Sequence, residues 1–141
     1  MPTINEIQDE IIEEFLPLED WMDRYQLLID MGEELPPLAP EEKTEQNLID
    51  GCQSRVWLVC ERQGDLLNFR AESDALIVRG IVALLLRVVS GHTPEEILSA
   101  DLYFIPRIGL SEHLSPTRAN GLLAMVKQVR NYALVMKAVE K

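Results

Sequence analysis

Three prolines fall within six residues at L-P-P-L-A-P, Leu35 to Pro40. Proline fixes φ, removes an amide donor and breaks a helix interior, so this stretch reads as an extended, surface-hugging connector. It divides the chain into a front part that reads as helix and a rear part of mixed character. In front, Thr3 and Glu6 have capping-box spacing, and Ile4, Ile7, Ile11 and Phe15 recur at helical intervals up to Pro17. Glu6, Asp9, Glu10, Glu13 and Glu14 form a solvated face of that helix. Asp20 is placed to cap a second helix with Trp21, Tyr25, Leu28 and Met31 on one face. Gly32 fits the position just past its end. Trp21 reads as core.

Behind the connector, the acidic segment from residue 41 to 46 leads into Asn47 to Trp57, N-L-I-D-G-C-Q-S-R-V-W. Asp50-Gly51 is a turn signal, and glycine alone enters positive φ without steric cost. Val56 to Val59 is a β-prone run. Cys52 is therefore expected on a loop that bends sharply just before a strand, a place where reactive groups often sit. A buried, inert thiol is the ordinary alternative for a free cysteine.

The strand is expected over 54–61. Both its faces are apolar, so it is expected to be central and covered on both sides. Gln63-Gly64-Asp65 reverses the chain, and 66–71 pairs back as a hairpin. A hairpin alone is marginal, so a third strand is expected, from 33–38 or from the residues just before Cys52. Ser73 is expected to cap a helix to about Ser90, with Ala75, Val78, Val82, Leu85, Leu86 and Val89 buried. Asp74 then falls in its first turn, where the helix dipole favours a carboxylate. Gly91 ends it, and Thr93-Pro94-Glu95-Glu96 starts a short helix. The stretch 101–111 has no clean period; it is expected to be a loop with an apolar patch that covers core or walls the Cys52 site. Ser115-Pro116 opens a last helix with Leu122, Met125, Val126 and Val129 inward. Arg118 in its first turn opposes the dipole, which points either to a salt bridge or to an anion that Arg118 and the helix amides face.

With 141 residues the chain fits one domain, 1–141, able to bury about 68–70% of its unfolded surface. No apolar run approaches the ~20 residues of a bilayer crossing, and the N-terminus lacks signal-peptide character, so a cytoplasmic protein is expected, with no membrane contact. The net charge of −11 repels phosphate backbones, so nucleic acid is not an expected ligand. It favours solubility and a basic patch on a protein partner. Cys52 and Cys60 lie too far apart along an extended strand for a disulfide or a shared metal. No C-x-x-C pair exists and the two histidines stand alone, so no metal or other cofactor is expected. Cys60 reads as strand packing. A charge at Asp50 is expected to raise the Cys52 pKa.

The string N-x-I-x-G-C-Q-S-x-V-W resembles the signature of the SufE family of sulfur acceptors. S-D-A-L-I-V-R-G, Ser73 to Gly80, and L-S-P-T-R-A-N-G, Leu114 to Gly121, are similar to two further family motifs in the same order. The resemblance implies an α+β fold of the SufE/NifU-like kind, a small antiparallel sheet of about three strands packed against helices from both chain ends. It implies that Cys52 takes sulfur from the persulfide of a SufS- or CsdA-like cysteine desulfurase. It carries that sulfur as a transient persulfide towards an iron–sulfur assembly scaffold. The pyridoxal-phosphate chemistry then belongs to the desulfurase. Gly51, Gln53, Ser54, Arg118 and Asp74 are the expected supporting residues, with Gln53 and Ser54 as donors around the loop and Arg118 beside the persulfide anion. Two other readings stand beside this one: a non-catalytic adaptor or activator of the desulfurase, and a scaffold that binds a metal or cluster.

Overall fold

A computed structural model describes residues 2–52 and 54–139, with the backbone alone at 139. The first helix, α1 (Ile4–Phe15), is capped as its sequence demands. The Thr3 hydroxyl accepts the Glu6 amide at 3.1 Å, and the Glu6 carboxylate accepts the Thr3 amide at 3.0 Å. Its inward face carries Ile4, Ile7, Ile11, Ile12 and Phe15. Gln8 is buried there too, with every polar atom partnered. Its amide nitrogen donates to Asn5 and to the Asp101 carbonyl, and its oxygen accepts the Phe104 amide.

Asp20 caps α2 (Trp21–Glu33) by accepting the Met22 amide at 2.9 Å. Gly32 does not end this helix, as the sequence reading placed it; it lies inside. The reason is packing against α3 (Leu76–Val89). A Cβ on Gly32 would come 2.8 Å from the Gly80 nitrogen, and one on Gly80 would come 2.1 Å from the Leu28 carbonyl oxygen. The two glycines let the helix backbones touch.

The sheet has two strands, not about three: β1 (Val56–Gln63) pairs antiparallel with β2 (Leu66–Ser73). β1 starts and ends two residues later than expected, β2 runs two residues further, and Gly64 turns the hairpin at φ 63°. The expected third strand is replaced by single bridges on both edges. Leu48 pairs with Trp57, and His92 with Leu67. The chain before Cys52 does not extend its pairing because residues Glu45–Asn47, just ahead of the bridge at Leu48, form a 3-10 turn and not an extended segment. Of the other candidate, 33–38, Glu33 still belongs to α2 and 34–38 form no strand; the Leu38 amide meets the Glu72 carboxylate of β2 at 2.9 Å.

In a two-stranded sheet β1 cannot be central. Its core face (Val56, Leu58, Cys60) packs with Leu67, Phe69 and Ala71 of β2 against α3 and the last helix, α7 (Pro116–Val139). The opposite face, with Trp57 and Val59, is half-buried. Two short 3-10 turns, Pro40–Glu42 and Glu45–Asn47, cover part of it through ion pairs of Lys43 with Glu72 and Arg70 with Glu42. Lys43 also lies 5.7 Å from the Trp57 ring centroid. Lys43 and then the Leu38 amide hold the Glu72 carboxyl below its usual range.

Ser73 ends β2, and α3 starts after Ala75, two residues later than its capping pattern suggests. Asp74 is the cause. Its amide donates to the Arg55 carbonyl and its carboxylate accepts the Arg55 amide, so the hairpin pairing continues one step further. Asp74 therefore lies outside the helix and its first turn. The helix is buried nearly all round, with Ile81, Leu84 and Val88 joining the expected stripe. After Gly91 (φ 81°) the capping box at Thr93 opens α4 (Pro94–Ser99). The stretch expected as a loop holds two short helices, α5 (Phe104–Arg107) and α6 (Leu110–His113). Phe104, Ile108 and Leu110 are buried, so this stretch covers core. No helix among the described residues is long and apolar enough to cross a membrane.

Candidate functional site

The loop from 50 to 55 is closed at its base by the Ile49 amide, which donates to the Val56 carbonyl at 2.8 Å. Asp74 clips its far end through both bonds to Arg55, at 3.1 and 3.3 Å. Between them Gly51 takes φ 94°, the left-handed region that glycine enters freely. A Cβ there would also lie 3.3 Å from that of Ala124, on α7. This turn swings Cys52 against the first turns of α7. The Cys52 Sγ lies 3.5 Å from the Gly121 carbonyl oxygen, to which the thiol donates.

A surface cleft of about 410 Å³ opens here, between the loop, α3 and the start of α7. Cys52, Ser54, Ser115, Thr117 and Arg118 line it, with an apolar floor of Val78, Ile81 and Met125. Thus Cys52 and Ser54 of the loop share one cleft with Arg118, which is distant in sequence, and Gly51 shapes the loop that feeds it. Asp74 does not line it; it holds the loop from behind. Gln53 lies outside the described residues. Ser115, Thr117 and Gly121 also line the cleft; none was expected there, and their signal in the sequence is the third motif quoted above, to which all three belong. The 101–111 stretch does not line the cleft.

Arg118 is the one charged side chain lining the cleft among the described residues. In a chain with 24 carboxylates, none of those among the described residues lines this surface. Of the two reasons for a cation in the first turn of α7, a salt bridge is absent: Arg118 makes no ion pair with a described residue. Its amide meets the Ser115 hydroxyl at 3.3 Å, so Ser115 caps the helix. Burial pushes the Cys52 thiol up, while Asp50 is exposed to solvent and makes no contribution of its own. The direction expected from the sequence holds; the cause is desolvation rather than a neighbouring charge.

Cys60 is also a free thiol. It faces the core side of the sheet opposite Phe69, and burial followed by the Glu61 charge pushes it up to about 11. No group of three or more His, Cys, Asp or Glu among the described residues is placed to hold a metal ion.

Comparison with known proteins places this fold and its family. Residues 9–133 match the SufE family model, described as an Fe–S metabolism associated domain. An uncharacterised SufE-like protein of Rhizobium etli is 46% identical over 135 residues, which span 92% of this chain and 91% of the relative. Another, of Rhizobium meliloti, is 45% identical over 130 residues, covering 89% and 93%. The solution structure of a hypothetical protein from Thermus thermophilus superposes with a TM-score of 0.76 at 23% identity, over 96% of this chain and 97% of that one. The chain belongs to the SufE family, and its domain is associated with iron–sulfur metabolism.

Proposed function

We propose that this chain is a sulfur acceptor. Cys52 takes the terminal sulfur of a persulfide held on a cysteine desulfurase of the SufS or CsdA kind, and passes it on to an iron–sulfur assembly scaffold. The observation that carries this reading is a single thiol at a cleft whose only charged lining residue, among the described residues, is a cation. In the transfer, the Cys52 sulfur attacks the outer sulfur of the donor persulfide. The donor S–S bond breaks, a new one forms at Cys52, and the donor leaves as a thiolate. The proton of Cys52 is released, and no net oxidation occurs. The product, a persulfide on Cys52, is anionic when ionised, and Arg118 supplies the opposite charge. Ser54, Ser115 and Thr117 offer hydroxyl donors to the carried sulfur.

Burial and the Gly121 carbonyl favour the neutral thiol in the free protein. A mostly protonated thiol is a poor general nucleophile and resists stray oxidation. This suits an acceptor that reacts when a donor sulfur is delivered into the cleft.

Incubation with a desulfurase and free cysteine, followed by mass spectrometry of alkylated protein, tests the reading. The expected result is one added sulfur on wild type and on Cys60→Ser, and none on Cys52→Ser. Sulfur retained after the Cys52 change, or an unloaded wild type that still stimulates the desulfurase, removes the carrier role; the second result leaves an adaptor.

A further inference from the structure

The indole of Trp21 and the imidazole of His113 stack, with centroids 4.0 Å apart and 15° between their planes. Trp21 is the first residue of α2; His113 is the last of α6, two residues ahead of the Ser115 cap of α7. The contact is reinforced on every side. The Tyr25 hydroxyl donates to the His113 carbonyl at 3.1 Å. The Arg24 guanidinium lies 5.2 Å from the Trp21 ring centroid and donates to the Leu18 and Ile108 carbonyls. Gly109, at φ 82°, comes so close that a Cβ would sit 2.8 Å from the indole Cζ2. The His113 amide and ring Nδ1 each lie 3.1 Å from the Gly109 carbonyl oxygen.

His113 is nevertheless exposed to solvent. The core does not need its ring. What the stack does is fix the backbone at 113, and with it the short path through buried Leu114 to Ser115, Thr117 and Arg118. Those three residues form the α7 edge of the Cys52 cleft. We propose that the Trp21–His113 stack is a positioning device for this cleft. It sets the N-terminal end of α7 so that Arg118 lines the same cleft as the Cys52 thiol. His113 is a positioning residue here, acting through α7. The step it serves rests on the sulfur-acceptor reading; the placement itself is measured without a desulfurase.

The test compares Cys52 alkylation by iodoacetate, which is anionic, and by iodoacetamide, which is neutral, on the full chain. The Cys52 peptide is followed by mass spectrometry. The ratio of the two rates reports the charge beside the sulfur and is insensitive to loop opening, which changes both rates together. Arg118→Gln is expected to lower the ratio about threefold, the size of an exposed charge pair. His113→Gln, which loses the stacked ring, is expected to lower it most of the way to that value. His113→Phe, which can stack, stays with wild type. A wild-type ratio in His113→Gln or in Arg118→Gln overturns the proposal, and so does a His113→Phe ratio that falls with His113→Gln. Should His113→Gln not fold, Trp21→Leu, which removes the other ring of the stack, replaces it; its ratio must fall, and an unchanged one overturns the proposal. If a desulfurase leaves the wild type unloaded, the acceptor reading fails while the ratio still decides the placement.

Discussion

The thiol of Cys52 donates to the main-chain oxygen of Gly121 at 3.5 Å, across 69 residues of sequence. That contact joins the loop ahead of the sheet to α7, the last described helix. It also presents an electron-rich carbonyl to the sulfur, an arrangement that favours S–H over S⁻.

The alkylation rate of Cys52 should therefore rise with pH to a midpoint above that of an unperturbed thiol, about 8.5. Burial is the cause, so the midpoint should move back towards that value in urea. A native midpoint at or below the ordinary one would contradict the half-buried, hydrogen-bonded thiol.

Gly51 faces two obstacles to a side chain, its φ of 94° and the Ala124 Cβ at 3.3 Å. Gly51→Ala should cost about 1–2 kcal/mol from the backbone alone. Adding Ala124→Gly relieves the contact but not the backbone, so it should not recover the loss seen in urea denaturation. Full recovery would mean that crowding, not φ, dictates glycine here.

Two helical glycines should respond to alanine with opposite sign. At Gly80 the new methyl would lie 2.1 Å from the Leu28 carbonyl oxygen, so α2 and α3 must part, at about 1–3 kcal/mol or more. At Gly121 the nearest atom is the Cys52 Sγ at 3.6 Å, ordinary contact, and alanine should stabilise α7 by about 0.4–1 kcal/mol. Chemical denaturation of the two variants checks both signs; a destabilised Gly121→Ala would show the Cys52 loop to be tighter than this spacing indicates.

Cys60 makes stability depend on alkaline pH. Its folded pKa is pushed up to about 11, above the unfolded value of about 8.5. The unfolded chain therefore releases its proton first. The stabilising contribution is complete below about 8.5 and is lost as pH rises through about 11. The melting temperature of Cys60→Ala should fall less than that of wild type between about pH 8 and pH 10.5. Parallel falls would show that Cys60 does not carry the effect.

Local rules made much of the fold legible. The caps at Thr3, Asp20, Thr93 and Ser115 were readable because a side chain bonds an amide two or three residues away. The hairpin was readable because Gly64 turns it between two β-prone runs. The misreadings share another origin. Gly32 looked like a helix end because its partner, Gly80, is nearly fifty residues on. Ser73 looked like a cap because the competing pull on Asp74 comes from Arg55. A third strand was expected because a hairpin alone is marginal, yet helices, single bridges and the segment from 38 to 47 cover this one instead.

The amino-acid order by itself determined the capped helices, the hairpin, the turn at Gly51 and the cysteine that follows it, because each depends on residues close along the chain. Only the folded structure decided which way the thiol points, that burial rather than Asp50 raises its pKa, and that Arg118 joins it at a cleft whose described lining carries no carboxylate. Those properties are distances between segments that meet only when the core closes, and no local spacing encodes them.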